Sequence, residues 1–493
     1  MNHISAPPAA DTPAPIDCAP FAKGLFIDGE WRQTEAQIAV VDPSTEREIA
    51  HVADAGVEEA MAAVDAADRA APLWRAKSPR ERSEILRRCF ELMTQRADEL
   101  AALISLENGK ALVDARGEVA YAAEFFRWNA EEAVRLSGEL GLAPSGSNRI
   151  LVDYVPVGIA LLVTPWNFPA AMATRKIAPA LAAGCTVVLK PASETPLTAY
   201  ALAGLYREAG VPDGVVNVVT TSRPGPVTAA ILDDPRVRKL SFTGSTGVGR
   251  TLLAEAARTV VGCAMELGGN APFLVFDDAD LDAALDGAMI AKMRNAGEAC
   301  TAANRFYVQN GIYDRFVEGL VGRMAALTVG AGTDPATRCG PMITRKAVEK
   351  IEYLVADAVA RGAKVLQGGK ALSGSGYFYP PTVLGDVPPD ALLMREEIFG
   401  PVAALCRFDN EDEAVAAAND TEFGLASYVY SRDLKRALGV AGRIEAGMVA
   451  VNRGLVSDPA APFGGVKQSG LGREGGHHGV LDYLEPKYIA VSF

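Results

Sequence analysis

Apolar residues change their spacing near residue 150, and the change divides the chain. Before that point the spacing is helical, and the first third reads as mostly helix. Ser78-Pro79-Arg80-Glu81 has the form of a helix start, with Ser as N-cap, Pro at the first helical position and Glu at the third. Ile85, Leu86, Phe90 and Met93 then share one face, and ordinary core packing accounts for them. After 150, short continuous apolar runs take over at 159–164, 186–190, 215–219 and 239–243, with helical stretches at 175–183 and 198–209 between them. Runs apolar on both faces that alternate with helices predict βαβ units and a parallel sheet. Such a sheet lines up its strand ends along one edge, where ligands bind. Beyond residue 300 the alternation resumes, with helices near 313–326 and 345–361 and strand-like runs near 401–408, 426–431 and 447–452. This predicts a second α/β domain. The final segment contains Tyr488-Ile489-Ala490-Val491, an apolar edge strand that something should cover.

Composition narrows the classes. A chain of 493 residues has room for two or three domains. The formal net charge is −13 and no basic block stands out, which argues against nucleic acid or an anionic membrane as the main partner. A small anionic substrate stays open, because it needs only local positive charge. No run of eighteen apolar residues and no signal-peptide pattern are present, so a cytoplasmic location is expected. Residues 1–20, rich in Ala and Pro, are expected to form a disordered lead. The seven cysteines, at 18, 89, 185, 263, 300, 339 and 406, are odd in number and form no C-x-x-C pair, which points to a reducing compartment. The four histidines, at 3, 51, 477 and 478, lie far from Cys300, so no metal site is expected.

Three stretches carry candidate chemistry. Gly297-Glu298-Ala299-Cys300-Thr301-Ala302 sets a thiol among small residues with a Glu close by, a pattern that suits covalent catalysis by a thiolate. The competing reading is a buried, inert thiol, which the other six cysteines take. Thr243-Gly244-Ser245-Thr246-Gly247-Val248-Gly249 follows a strand and opens a helix. It suits a phosphate at a helix N-terminus and equally suits a plain turn, since its spacing is not G-x-G-x-x-G. Thr164-Pro165-Trp166-Asn167-Phe168-Pro169 offers an amide for a developing oxyanion, or a Pro-bounded turn capped by Asn.

Taken together, these runs resemble the NAD(P)-dependent aldehyde dehydrogenase superfamily, and succinate-semialdehyde dehydrogenases within it. The resemblance is carried by 164–169, 190–194, 242–249, 265–269, 297–300, Glu397-Ile398-Phe399-Gly400-Pro401 and Pro462-Phe463-Gly464-Gly465, in the family's order. It implies a Rossmann-like parallel-sheet cofactor domain (21–137 and 157–266), a second α/β catalytic domain (267–466) and a small β oligomerisation arm (138–156 and 482–493) that makes a homodimer or homotetramer. It implies Cys300 as nucleophile, Glu266 as general base and Asn167 as oxyanion donor. Implied cofactor contacts are Thr164, Trp166, Lys190, Ser193, Gly225, Gly244, Ser245, Glu397 and Phe399. Arg175, Arg294 and Ser457 match the residues that hold a semialdehyde's far carboxylate, a task that suits an Arg fork. The alternative for both arginines is a solvated helix position. The glutamate base argues for hydrolysis and against transfer to CoA. Longer semialdehydes such as glutarate semialdehyde, and general aldehydes, remain alternatives.

Two departures and one choice follow. Ala302 stands where many such enzymes carry a second cysteine, so a disulfide switch there is not expected. Arg453 follows Asn452 where relatives have a small or acidic residue, and it reads either as a cation at the cavity mouth or as a surface ion pair. Ser193 is neutral where NAD-preferring relatives place a Glu, so NADP is favoured over NAD, with Glu194 next door opposing if it turns inward.

Overall fold

The computed structural model describes Cys18, Phe21 and residues 24–492, so the 1–20 lead, Cys18 apart, lies outside the described residues. Four short strands between Leu25 and Ala53 precede the first helix, so the chain opens with β-structure ahead of the helical stretch. Helix Pro79–Gln95 starts as its sequence predicts: Ser78 accepts from the Glu81 N–H, and the Glu81 carboxylate accepts from the Ser78 N–H.

Two sheets carry the described chain. The first has eight strands in the order Gly470–Leu471, Gly262–Glu266, Val237–Thr243, Ile159–Val163, Thr186–Lys190, Val216–Val218, Leu25–Ile27, Glu30–Arg32. The five strands from Gly262–Glu266 to Val216–Val218 are parallel, and the flanking strands are antiparallel. Ile159–Val163 is buried at all five positions, as a strand covered on both faces must be. From it the chain runs first to Thr186–Lys190 and Val216–Val218 on one side, then to Val237–Thr243 and Gly262–Glu266 on the other. The reversal makes a topological switch point at the carboxyl ends of Ile159–Val163 and Val237–Thr243.

The second sheet has seven strands in the order Lys364–Gln367, Thr382–Gly385, Val402–Phe408, Ala303–Gln309, Ala271–Val275, Ala426–Tyr430, Met448–Val451. All are parallel to their neighbours except Lys364–Gln367. A third sheet joins Leu484–Val491 to Arg149–Pro156, which also pairs with Glu139–Leu142. The terminal strand is therefore covered along one edge by its own chain.

Buried carboxylates organise the helices beside the first sheet. Glu107 accepts from the N–H groups of Leu197 and Thr198 at the start of helix Pro196–Glu208. Glu118 does the same for Ala170 and Ala171 at the start of helix Pro169–Ala183. Each satisfies orphan donors and meets the positive end of a helix dipole. Glu118 is paired with Lys110, whose Nζ lies 2.5 Å from its Oε2 and 2.6 Å from the Asn167 carbonyl, and both side chains are fully buried. Lys110→Met should therefore leave a buried carboxylate without its cation, costing about 3–5 kcal/mol. A urea midpoint unchanged by this substitution would show that the pair carries no stability.

Candidate active site

The carboxyl edge of the first sheet and the loops that lead into the strands of the second bound one cavity of about 570 Å³. Pro165 and Trp166 reach it from the end of Ile159–Val163, Glu194 from beyond Thr186–Lys190, Thr243 to Ser245 from the end of Val237–Thr243, and Glu266 from the end of Gly262–Glu266. Cys300, Arg294, Glu397, Phe399 and Ser457 reach it from the side of the second sheet, and Arg175 from helix Pro169–Ala183. The size suits a small-molecule site.

The thiol is held by a bent loop. Helix Leu281–Met293 ends at Arg294, and Asn295, Ala296 and Gly297 follow with φ of 53°, 51° and 79°. Left-handed backbone at non-glycine residues costs energy and persists only when its surroundings enforce it. The Asn295 N–H donates to Asp114 (3.1 Å), and its side-chain amide donates to the carbonyls of Asn167 and Glu298. At Gly297 a Cβ would lie 2.2 Å from the Gly400 carbonyl oxygen, so the two loops touch backbone to backbone. Asn167 Nδ2 donates to the Glu298 carbonyl (3.0 Å), while its buried Oδ1 has no partner among the described residues. The amide thus sits two residues from Cys300 and keeps a second N–H. Removal from water pushes the Cys300 thiol up to about 12, with Arg175 the largest opposing influence.

Two buried acids face each other beside the thiol. Burial first, and then the Glu474 charge, holds the Glu266 carboxyl well above the usual range. Burial acts on Glu474 in the same direction, but Lys176 and Arg175 more than offset it and hold it low. Lys176 forms a short contact with Glu474 Oε1 and donates to Ser241 (2.9 Å). Arg175 Nη2 donates to the Tyr121 hydroxyl (2.7 Å), and its Nη1 stands 3.7 Å from Glu474 Oε2. Arg175 is 2% exposed, yet its Nε and Nη1 have no hydrogen-bond partner among the described residues. This rules out the solvated position for Arg175. Arg294 is half-buried above the Phe168 ring and carries no ion pair among the described residues.

The other end of the cavity fits a dinucleotide. Thr243 Oγ1 is buried there without a partner among the described residues. Trp166 and Phe399 meet edge to face at 5.5 Å between ring centroids. Glu397 accepts from the Gly269 N–H (3.1 Å), and burial pushes it up to about 7 against that bond and Lys350. A side chain at Gly268 would meet the Glu397 carboxylate at 3.1 Å. The glycines of 243–249 serve different ends: a Cβ at Gly244 would strike the Phe242 ring (2.5 Å) and one at Gly249 would strike Leu267 (2.5 Å), whereas Gly247 faces open space. Packing thus explains two of the three. Ser245 is the N-cap of helix Thr246–Ala256, its hydroxyl accepting from the Val248 N–H.

Of the residues singled out from sequence, the cavity gathers Cys300, Glu266, Asn167, Trp166, Gly244, Ser245, Glu397, Phe399, Arg175, Arg294 and Ser457. Thr164, Lys190, Ser193 and Gly225 are outside its lining. Thr164 is buried, its N–H donating to the Lys190 carbonyl, and Lys190 Nζ donates to the Pro191 carbonyl. Ser193 donates to Glu194, and it is Glu194 that turns toward the cavity. Gly225 lies exposed in the first turn of helix Pro224–Asp233. Arg453 is exposed, outside the lining and without an ion pair among the described residues, so neither reading of it gains a contact. Sequence reasoning missed Glu474, Lys176 and Tyr121 as site residues. The signal for Glu474 was a single carboxylate within Gly472-Arg473-Glu474-Gly475-Gly476, where backbone packs too tightly for a solvated acid.

The fold and cavity present a two-sheet α/β enzyme scaffold with a thiol and an acid in one cavity at the switch point of the first sheet. The chain belongs to the aldehyde dehydrogenase family, whose family model matches residues 31–489. It is thus an NAD(P)-dependent oxidoreductase. It is 54% identical over 444 residues to the succinate-semialdehyde dehydrogenase of Paenarthrobacter nicotinovorans, covering 90% of this chain and 99% of that one. It is 51% identical over 477 residues to the glutarate-semialdehyde dehydrogenase of Pseudomonas aeruginosa, covering 96% of this chain and 99% of that one. A crystal structure described as an E. coli NADP dependent enzyme superposes with a TM-score of 0.95 at 50% identity, covering 96% of this chain and 98% of that one. Among the described residues no helix is long and apolar enough to cross a membrane.

Gly297→Ala should displace the Cys300 loop, because the new methyl group meets backbone that cannot swing aside. Turnover should fall by about 100-fold, the scale of a misplacement near 1 Å. Unchanged turnover would show that the loop tolerates the shift.

Proposed function

We propose that the chain oxidises succinate semialdehyde to the dicarboxylic acid, with NADP favoured over NAD. The observation that carries this reading is the buried, half-partnered Arg175 in the same cavity as Cys300. Its free Nε and Nη1 are donors waiting for an acceptor, since buried polar groups are ordinarily paired. Arg294 adds an unpaired cation and Ser457 a hydroxyl. The names of the two bacterial relatives support a carboxylated semialdehyde, and their substrates differ by one carbon in length, so glutarate semialdehyde is the second reading.

The chain's own groups suit a two-stage reaction. The Cys300 thiolate adds to the aldehyde carbon, forming a thiohemiacetal whose oxyanion takes hydrogen bonds from Asn167 and the Cys300 N–H. A bound nicotinamide supplies the hydride acceptor. The resulting thioester on Cys300 is hydrolysed by water whose proton passes to Glu266, and its buried carboxyl, held high, makes it an effective base once ionised. Trp166, Glu397 and Phe399 would hold the nicotinamide end, with Thr243 and Ser245 nearer the phosphates. Neutral Ser193 and the Lys190 charge support NADP. The Glu194 carboxylate at the cavity opposes it.

Cys300→Ala should abolish turnover, and Glu266→Gln should give a burst of reduced cofactor followed by a persistent acyl adduct in intact mass. Substantial turnover by the first variant, or no burst from the second, would remove these roles. Parallel assays with NAD and NADP read the cofactor choice, and a wild type that ignores saturating NADP would refute that part.

Arg294→Ala should weaken kcat/KM for succinate semialdehyde by about 1.5–3 kcal/mol, the scale of one charge-assisted contact, and leave an uncharged aldehyde nearly unaffected. Steady-state kinetics over four- and five-carbon semialdehydes and butanal make the comparison. Equal losses for charged and uncharged aldehydes would make the arginine structural.

A further inference from the structure

Arg175 has two claims on it. Rings hold its guanidinium in place: Phe463 at 4.0 Å, Phe125 at 5.3 Å and Tyr121 at 5.6 Å from the ring centroids. Tyr121 also takes Nη2. The cation therefore has little freedom to follow a ligand. On one side Nη1 stands 3.7 Å from Glu474 Oε2, beyond a hydrogen bond, and each of these atoms is buried without a hydrogen-bond partner among the described residues. Glu266 Oε2 is a third buried atom without one. Glu474 Oε1, by contrast, is fully engaged by Lys176 and Ser241. Thus one carboxylate oxygen of Glu474 depends on Arg175 through space alone.

We propose that Glu474 and Arg175 form a charge relay of position in which the substrate's own anion competes with Glu474 for Arg175 and thereby makes Glu266 a stronger base. The inference rests on the proposed function, since it requires an acyl group on Cys300 that carries a far anion. In the unloaded site Arg175 partly neutralises Glu474. An anion delivered to Nε and Nη1 takes up that positive charge. The negative field of Glu474 on Glu266 is then less compensated, and a like charge disfavours ionisation. The groups that face the two acids from the surrounding elements are Arg175 and Lys176 on helix Pro169–Ala183, Ser241 on Val237–Thr243, and Arg473 and Tyr483 from the C-terminal segment. Lys176 and Ser241 are already committed to Glu474, so Arg175 is the member whose balance a substrate can change. Glu474 acts through Glu266 and touches no reacting atom, which makes it a positioning residue.

The test compares two acyl groups of equal length, one with the anion and one without. Enzyme in excess is mixed with NADP and either succinate semialdehyde or butanal, and the Cys300 thioester is followed by rapid quench and mass spectrometry at a series of pH values. The decay of the succinyl thioester should have its midpoint about 1 pH unit above that of the butanoyl thioester. Glu474→Gln should lower both midpoints, and Arg175→Met should raise the butanoyl midpoint and close the gap. Coincident midpoints in the unsubstituted enzyme overturn the inference, and that comparison needs no variant. Glu474→Gln that slows decay at every pH without moving a midpoint also overturns it, by showing a structural role only. Absence of any thioester mass on Cys300 would instead refute the functional reading on which the inference stands.

Discussion

Helix Pro169–Ala183 is buried at all fifteen positions and carries two cations, Arg175 and Lys176, into the interior. Charges so placed must be paired, because an isolated buried ion costs far more than a fold can absorb. Glu474 supplies the pairing from the other end of the chain, and its position follows from the antiparallel strand Gly470–Leu471 that adds to the first sheet beside Gly262–Glu266. The acid that neutralises the helix therefore lies next to Glu266. What satisfies the core also sets the electrostatics of the cavity, and the two cannot be altered separately.

A second constraint fixes the thiol. Three consecutive left-handed residues turn the chain between helix Leu281–Met293 and strand Ala303–Gln309. Their cost is offset by the hydrogen bonds of Asn295 and by the backbone contact of Gly297 with Gly400. Asn295 and Lys110 both donate to the Asn167 carbonyl, so the loop after Ile159–Val163 and the loop before Cys300 are tied to one point. Strain is stored where the reacting groups must be held, and the buried Lys110–Glu118 pair extends that support to the start of the helix bearing Arg175.

Charged side chains in and around the cavity divide by how far they are committed. Lys176 is saturated by Glu474 and Ser241. Lys292, buried and donating to Asn304, is pushed down to about 7 by removal from water. Arg175 and Arg294 line the same cavity as Cys300 without a full set of partners among the described residues, and this is the chemistry an anionic aldehyde meets.

Sequence alone determined the elements that depend on short-range chemistry. The Ser78 cap, the doubly buried strands at 159–163 and 186–190, and the change of period near 150 all reflect residues within a few positions of one another. Motif order determined the family for the same reason, since each run is local. Helix starts were placed too late by sequence: Pro169–Ala183 begins six residues and Pro196–Glu208 two residues before the expected stretches, and distant Glu118 and Glu107 meet their N-termini. Tertiary structure alone decided the partners. Glu474 meets Lys176 from 298 residues away. Ser245 spends its hydroxyl on a helix cap, and Glu194 rather than Ser193 faces the cavity. Pairing of buried charges is set by where sheets bring their edges together, and no local pattern records that distance.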